Sequence, residues 1–177
     1  MRQSAMTTEQ TQTQKRRGTV VIASSVHWNF TWQRHHEIAT GFAAAGYEVF
    51  FIEPLPARGW PGFRRAARYA YARLTKRFDH EGIQQPIPAG VHVIPPAGLP
   101  ERNRLGAWLN RRLFMPRLAR RLQRRKSEGP LIFVAYFPLP YALALLRRLQ
   151  PNLSIYDCVI DFQNLKRIDR ATLVEDD

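Results

Sequence analysis

Cysteine is nearly absent from this chain: Cys158 stands alone among 177 residues. A single thiol excludes a disulfide framework and a zinc ribbon, and it suits a reducing compartment. Long apolar runs are missing too. The longest, LIFVAYFPLPYALALL, has 16 residues with Pro138 and Pro140 in its middle, too short and too interrupted to span a bilayer. Residues 1–17 have no apolar stretch of the kind a secretory signal needs. Polar and rich in Thr and Gln, they read as a disordered leader before one domain over residues 18–177. The expectation is a cytoplasmic protein whose membrane contact, if any, is peripheral at the inner face.

Nucleotide and metal fingerprints are also missing. No G-x-G-x-x-G follows the first apolar run and no G-x-x-x-x-G-K-[ST] occurs, which removes the dinucleotide and P-loop signatures. The HHE triplet lacks the i, i+4 histidine spacing of a zincin helix. Adjacent His35 and His36 point about 100° apart on a helix, so they do not face one metal. Neither a cofactor nor a metal is expected.

Acidic residues and lysine are scarce: 14 Asp and Glu stand against 27 Lys and Arg, a net charge of +13, and only four of the 27 are lysine. Arginine forks onto phosphates and carboxylates as lysine cannot. The charge is clustered, with 17 of the 27 cations in residues 57–78 and 102–126. The first cluster, with Arg64, Arg65, Arg68, Arg73, Lys76 and Arg77, is interleaved with aromatics. It reads as a surface for anionic membrane, or equally as a solvated helix face.

What the chain does hold is alternation. Apolar residues make up 45% of it, and five segments rich in Val, Ile, Phe and Tyr predict strands at 19–25, 48–53, 91–95, 131–137 and 153–160. The first, fourth and fifth read as runs buried on both faces, as parallel strands are. Helices are predicted over 32–46, ending at Gly46, over 105–125 with a kink or restart at Pro116, over 140–149, and from 165 onward. Strand and helix alternating at these lengths predict an α/β fold: a Rossmann-like, open, mostly parallel sheet flanked by helices.

In such sheets ligands sit beyond the carboxyl ends of the strands. This sequence places His27, Trp28, Asn29, Trp32 and Arg34 after the first strand. Tyr136 follows the fourth, and Asp157 and Asp161 follow the fifth. Aromatic faces, amides and carboxylates are what a sugar needs, CH faces to stack on and hydroxyls to bond. His27 and Asp157 are the polar groups suited to orient an acceptor hydroxyl. Each residue also has an ordinary role open to it. The tryptophans could cap the core, His27 could be a satisfied loop histidine, Arg34 could pair with Glu37 at i, i+3, and the two aspartates could cap or face water.

WQRHHEIATGFAAAGYEVFFIEPLPARG resembles the N-terminal domain of bacterial retaining glycosyltransferases of the two-domain B-type fold. In related sequences a W-x-R segment opens the first helix and G(H/Y)xVxFxEP forms the second strand. PLIFVAYFPLPYAL resembles their fourth strand and helix, and LSIYDCVIDF their fifth strand, which often reads Tyr-Asp-Cys-x-Asp-Asp. The resemblance covers about residues 18–177. It implies an acceptor-binding domain for a glycan or glycolipid, and hexosyl transfer from a nucleotide sugar held by a second Rossmann-like domain. The sequence departs at Ile160, where the first Asp of the pair is expected, and it carries no donor-binding half. Transfer would need a second domain or a partner chain. Two alternatives stand beside this one. The basic charge could serve a nucleic-acid-binding module, though no RRM, KH or helix-turn-helix signature supports it. The chain could also be a non-catalytic interaction subunit presenting an open sheet edge.

Overall fold

The computed structural model describes residues 16–55, 85–99 and 104–158. The basic stretch with Arg64, Arg65, Arg68, Arg73, Lys76 and Arg77, expected to meet an anionic membrane, lies outside the described residues, as do Asp161 and the helix expected from 165. The described elements are β1 (Thr19–Ala23), α1 (Arg34–Ala44), β2 (Glu48–Ile52), β3 (Val91–Ile94), α2 (Arg104–Leu109), a π-helical turn (Asn110–Phe114), α3 (Met115–Arg125), β4 (Leu131–Ala135), α4 (Pro140–Leu149) and β5 (Leu153–Tyr156). They build one five-stranded, all-parallel sheet in the order β3-β2-β1-β4-β5. The α/β, Rossmann-like arrangement expected from the alternation is the one observed.

β1 is the central strand, and its register explains its composition. Thr19 aligns with Glu48 on one side and Leu131 on the other, so every β1 residue is flanked by backbone and covered on both faces. Val21 and Ala23 face Met115, Leu118, Leu122 and Leu145 of α3 and α4. Val20 and Ile22 face Ala39 and Ala43 of α1, with Trp28 beside them. Ile22, Phe50, Phe51 and Phe133 are at most 1% exposed, and burying each contributes about 1.5–3 kcal/mol.

β5 departs from expectation. Its run reads as buried on both faces, yet all four residues are exposed, with Leu153 at 51% and Ile155 at 38%. β5 is an outer strand, paired with β4 alone among the described residues, and none of them covers its faces, whereas β3, the other outer strand, keeps Val91 and Ile94 buried.

Local chemistry fixes the helix ends. α1 stops in a Schellman turn: Gly46 (φ +87°) donates its N–H to Ala43 O, and Tyr47 donates to Phe42 O, each at 3.0 Å. The rings of Phe42 and Tyr47 meet edge to face across the turn at 5.5 Å, the apolar contact this motif favours. Pro116 has no N–H for an α-helical bond to Arg112, and the turn before it widens, with Met115 N–H reaching Asn110 O. Such π-turns absorb a local mismatch inside a helix. The neighbouring carbonyl of Arg111 is taken up by Arg148 Nη2 at 2.7 Å. Asn110, fully buried, closes the incoming loop by bonding Leu99 N–H and Leu99 O, both at 2.8 Å.

Arg16 and Arg17, assigned by sequence to the leader, lie against the amino end of the sheet. Arg17 N–H donates to Gly46 O at 3.0 Å, and Arg16 Nε pairs with Glu48 at 3.0 Å.

Candidate functional site

The strand order reverses between β1 and β4. From β1 the chain builds outward to β2 and β3, then returns to place β4 and β5 on the other side. In open α/β sheets such a reversal is where a ligand crevice is expected, here at the carboxyl ends of β1 and β4. Four segments meet there: the turn after β1, the start of α1, and the residues following β4 and β5.

At the centre is Ser24, fully buried. Its N–H donates to Ile52 O at 2.9 Å, and its carbonyl accepts from Tyr141 OH at 3.2 Å. Its Oγ donates to Val26 O at 2.9 Å, accepts from Val26 N–H at 3.1 Å, and sits 3.0 Å from His35 Nδ1. A hydroxyl has one hydrogen. With that hydrogen committed to Val26 O, Nδ1 is the protonated nitrogen of His35 and donates to Ser24. The lone pair of Nε2 then faces Ser25 Oγ at 3.5 Å. His35 is 7% exposed, and its pKa is lowered from 6.5 to about 4, by burial first and the neighbouring His36 second, with Asp157 opposing. At neutral pH it is an uncharged imidazole.

The His35 ring lies on Tyr136, centroids 3.6 Å apart. Tyr136 is buried, and its hydroxyl has no hydrogen-bond partner among the described residues. Burial first and Asp157 second push this phenol above its ordinary pKa, against the pull of Arg34. Asp157 extends the β4–β5 ladder, donating its N–H to Ala135 O at 2.9 Å. Its Oδ2 meets Arg34 Nε at 3.0 Å, an ion pair with Arg34 61% exposed and Asp157 15% exposed. The Arg34–Glu37 pair that the helical spacing allows is not formed by these contacts: Arg34 reaches across to β5, and Glu37 accepts from Trp32 Nε1.

His27 and Asn29 belong to the β2 side. His27 Nδ1 lies 3.5 Å from Glu53 Oε2, while Glu53 Oε1 accepts from Trp28 N–H at 3.0 Å. Asn29 Oδ1 accepts from Gln85 N–H at 3.3 Å. The stacking role expected of Trp28 does not fit its burial. At 2% exposure it packs edge-on against Phe51 and His36. Tyr136, also 2% exposed, offers at most its hydroxyl, because His35 covers a face of its ring. Trp32 differs: it is 37% exposed, stacked on His36 at 5.0 Å. His36 itself is a structural group. Nδ1 accepts from Gln33 N–H at 3.0 Å, so Nε2 carries the proton and donates to Trp28 O at 3.0 Å. It thereby caps α1 where a capping box ordinarily uses Glu or Gln.

The structure thus gathers Arg34, Tyr136 and Asp157 and joins to them three residues the sequence reading did not select: Ser24, Ser25 and His35. The one available signal was the histidine doublet in the first turn of a helix that follows a buried strand. Arg34, Ser25 and the Tyr136 hydroxyl are donors; Asp157 and His35 Nε2 are acceptors. Such a set offers both donors and acceptors, with the Tyr136 hydroxyl itself buried. Among the described residues no group of three or more His, Cys, Asp or Glu could hold a metal ion, and no helix is long and apolar enough to cross a membrane.

No protein-family model matches this chain, and neither a curated protein nor a solved structure matches it.

Proposed function

We propose that this chain is the acceptor-binding half of a hexosyltransferase, and that the crevice between β1 and β4 receives a sugar of a glycan or glycolipid. The observation that carries the reading is the Arg34–Asp157 pair beside the unpartnered Tyr136 hydroxyl at the switch point. A carboxylate backed by a guanidinium accepts from two neighbouring sugar hydroxyls while Arg34 keeps donors free for a third. Trp32 offers the partly exposed ring nearby in sequence for a CH face to rest on. On this reading Asp157 orients the acceptor hydroxyl, and His27, held by Glu53, borders the crevice on the β2 side. The nucleotide-sugar donor would come from a second domain or partner chain, because transfer needs both substrates in one water-poor cleft. Docking of residues 57–78 on an anionic membrane belongs to the same proposal, and salt-sensitive sedimentation with anionic vesicles tests it.

The test is binding of methyl α-D-glucopyranoside, methyl α-D-mannopyranoside and methyl α-D-galactopyranoside, followed by saturation-transfer NMR. At least one should bind saturably, and Asp157→Asn should weaken it about tenfold, the loss of one charge-assisted hydrogen bond. Equal binding by the wild type and Asp157→Asn rules the crevice out. The interaction-subunit reading draws on exposed Leu153, Ile155 and Tyr156 of β5. A chain that stays monomeric and binds no dye for apolar surface argues against it.

A further inference from the structure

A concavity lies beside Pro140 at the start of α4. Arg104, Leu105, Ala107, Trp108, Arg111 and Pro140 line an open groove of about 500 Å³, within the range of small-molecule sites. We propose that this groove binds a phosphate-bearing sugar, with Arg104 and Arg111 on the phosphate and Trp108 under the sugar ring. The sugar half of this assignment rests on the acceptor reading above; the phosphate half rests on the arginines themselves.

Three observations carry it. First, the convergence: Arg104 and Trp108 stand at i, i+4 on α2, Arg111 follows in the π-turn, and all three line the groove. Both guanidinium groups sit on long flexible stems that can converge on one phosphate beside the indole. Second, the charges: among the described residues no carboxylate lines the groove, and neither arginine is in an ion pair. Arg148, which donates to Arg111 O at 2.7 Å, brings a third guanidinium to the same turn. Third, the indole: Trp108 is 47% exposed, a large apolar face in a basic setting with no ring contact among the described residues. Guanidinium forks match phosphate oxygens, and an indole face suits the CH face of a pyranose.

The groove and the crevice are close in the chain. Pro140 opens α4 only four residues after Tyr136, so at full extension their Cα atoms are at most about 14 Å apart. A sugar phosphate in the groove and a second sugar in the crevice could belong to one elongated ligand.

The experiment titrates the intact chain with α-D-glucose 1-phosphate, methyl α-D-glucopyranoside, inorganic phosphate and uridine 5′-monophosphate, read by calorimetry and tryptophan fluorescence. Glucose 1-phosphate should bind at least tenfold more tightly than the methyl glycoside. Arg104→Gln and Arg111→Gln should each weaken it about tenfold, as expected for loss of a charged hydrogen bond. Trp108→Phe should remove most of the fluorescence change. Both arginines are exposed, and far-UV circular dichroism confirms that the variants fold. Equal affinity for glucose 1-phosphate and the methyl glycoside overturns the site, as does unchanged binding in the double arginine variant. Inorganic phosphate binding as tightly as glucose 1-phosphate overturns the role of Trp108, and tenfold preference for the nucleotide overturns the sugar. Phosphatidic-acid vesicles that displace glucose 1-phosphate assign the phosphate to a lipid carrier; vesicles that do not displace it assign it to a soluble sugar phosphate. Asp157→Asn separates the two readings. If glucose 1-phosphate still depends on Arg104 and Arg111 while the methyl glycoside ignores Asp157, the groove stands and the crevice reading falls.

Discussion

His35 should make this fold acid-sensitive in a way that one substitution removes. Its imidazole is buried between Ser24 and Tyr136, and its pKa falls to about 4 from an ordinary 6.5. The folded value lies below the unfolded one, so between these limits the unfolded chain holds more protons. Stability therefore rises with pH across that window, is lost as acid is added, and carries the whole penalty below about 4. The ceiling is about 3 kcal/mol, at about 1.36 kcal/mol per pH unit. Partial access of water near the crevice rim reduces this to about 2 kcal/mol. The assay is urea unfolding of the wild type and His35→Gln at several values between about pH 7 and pH 4.5. Glutamine keeps a donor and an acceptor but does not titrate, so the variant is less stable at neutral pH and loses less on acidification. The difference between the two should shrink by about 2 kcal/mol toward pH 4.5. A difference that stays constant with pH would show that His35 titrates alike in both states, and the burial argument would fail.

Other outcomes follow from the same contacts. Asn110→Ala strands the N–H and carbonyl of Leu99 and should cost about 2–4 kcal/mol in chemical denaturation. An effect under half a unit would mean that water replaces both bonds. Gly129→Ala combines φ +104° with a Cβ only 2.4 Å from Arg17 O; it should cost about 2 kcal/mol or more, seen as a fall in Tm, whereas Gly41→Ala, with open space around it, should be neutral or slightly stabilising. Arg34→Gln breaks an ion pair whose arginine is mostly exposed, so stability should change by under about 1 kcal/mol while methyl-glycoside binding weakens. A large stability loss with intact binding would make the pair structural.

The parallel sheet was legible because its signal is local. VVIA of β1 and LIFV of β4 are unbroken apolar runs, and only a strand covered on both faces tolerates that. Gly46 was legible for a similar reason, since a helix end needing positive φ selects glycine. The burial of β5 was not legible. LSIY has the same apolar texture as β4, and what separates them is whether another layer lies against the strand, which no local pattern encodes. The π-turn was half legible: Pro116 forces an irregularity, but its form depends on Arg148 reaching Arg111 O from α4, a contact across 37 residues.

The site divides along the same line. Residue types after β1, β4 and β5 pointed to polar strand ends, where the proposed crevice lies. Which side chains enter it was decided elsewhere. Trp28 is drawn into the core because Glu53, at the end of β2, holds its N–H while His36 holds its carbonyl; with both backbone groups fixed, the ring falls onto Phe51. The doublet of His35 and His36 shows the limit most sharply. Helical geometry requires the two rings to point about 100° apart, so one was bound to leave the face the other occupies. Which one meets Ser24 and which one caps Gln33 depends on where the first turn of α1 crosses β1 and β4. That crossing is set by Ala39 and Ala43, whose small side chains let α1 pack closely on Val20 and Ile22. The identity of the crevice histidine is therefore encoded a full turn and more downstream of it, in residues with no chemistry of their own.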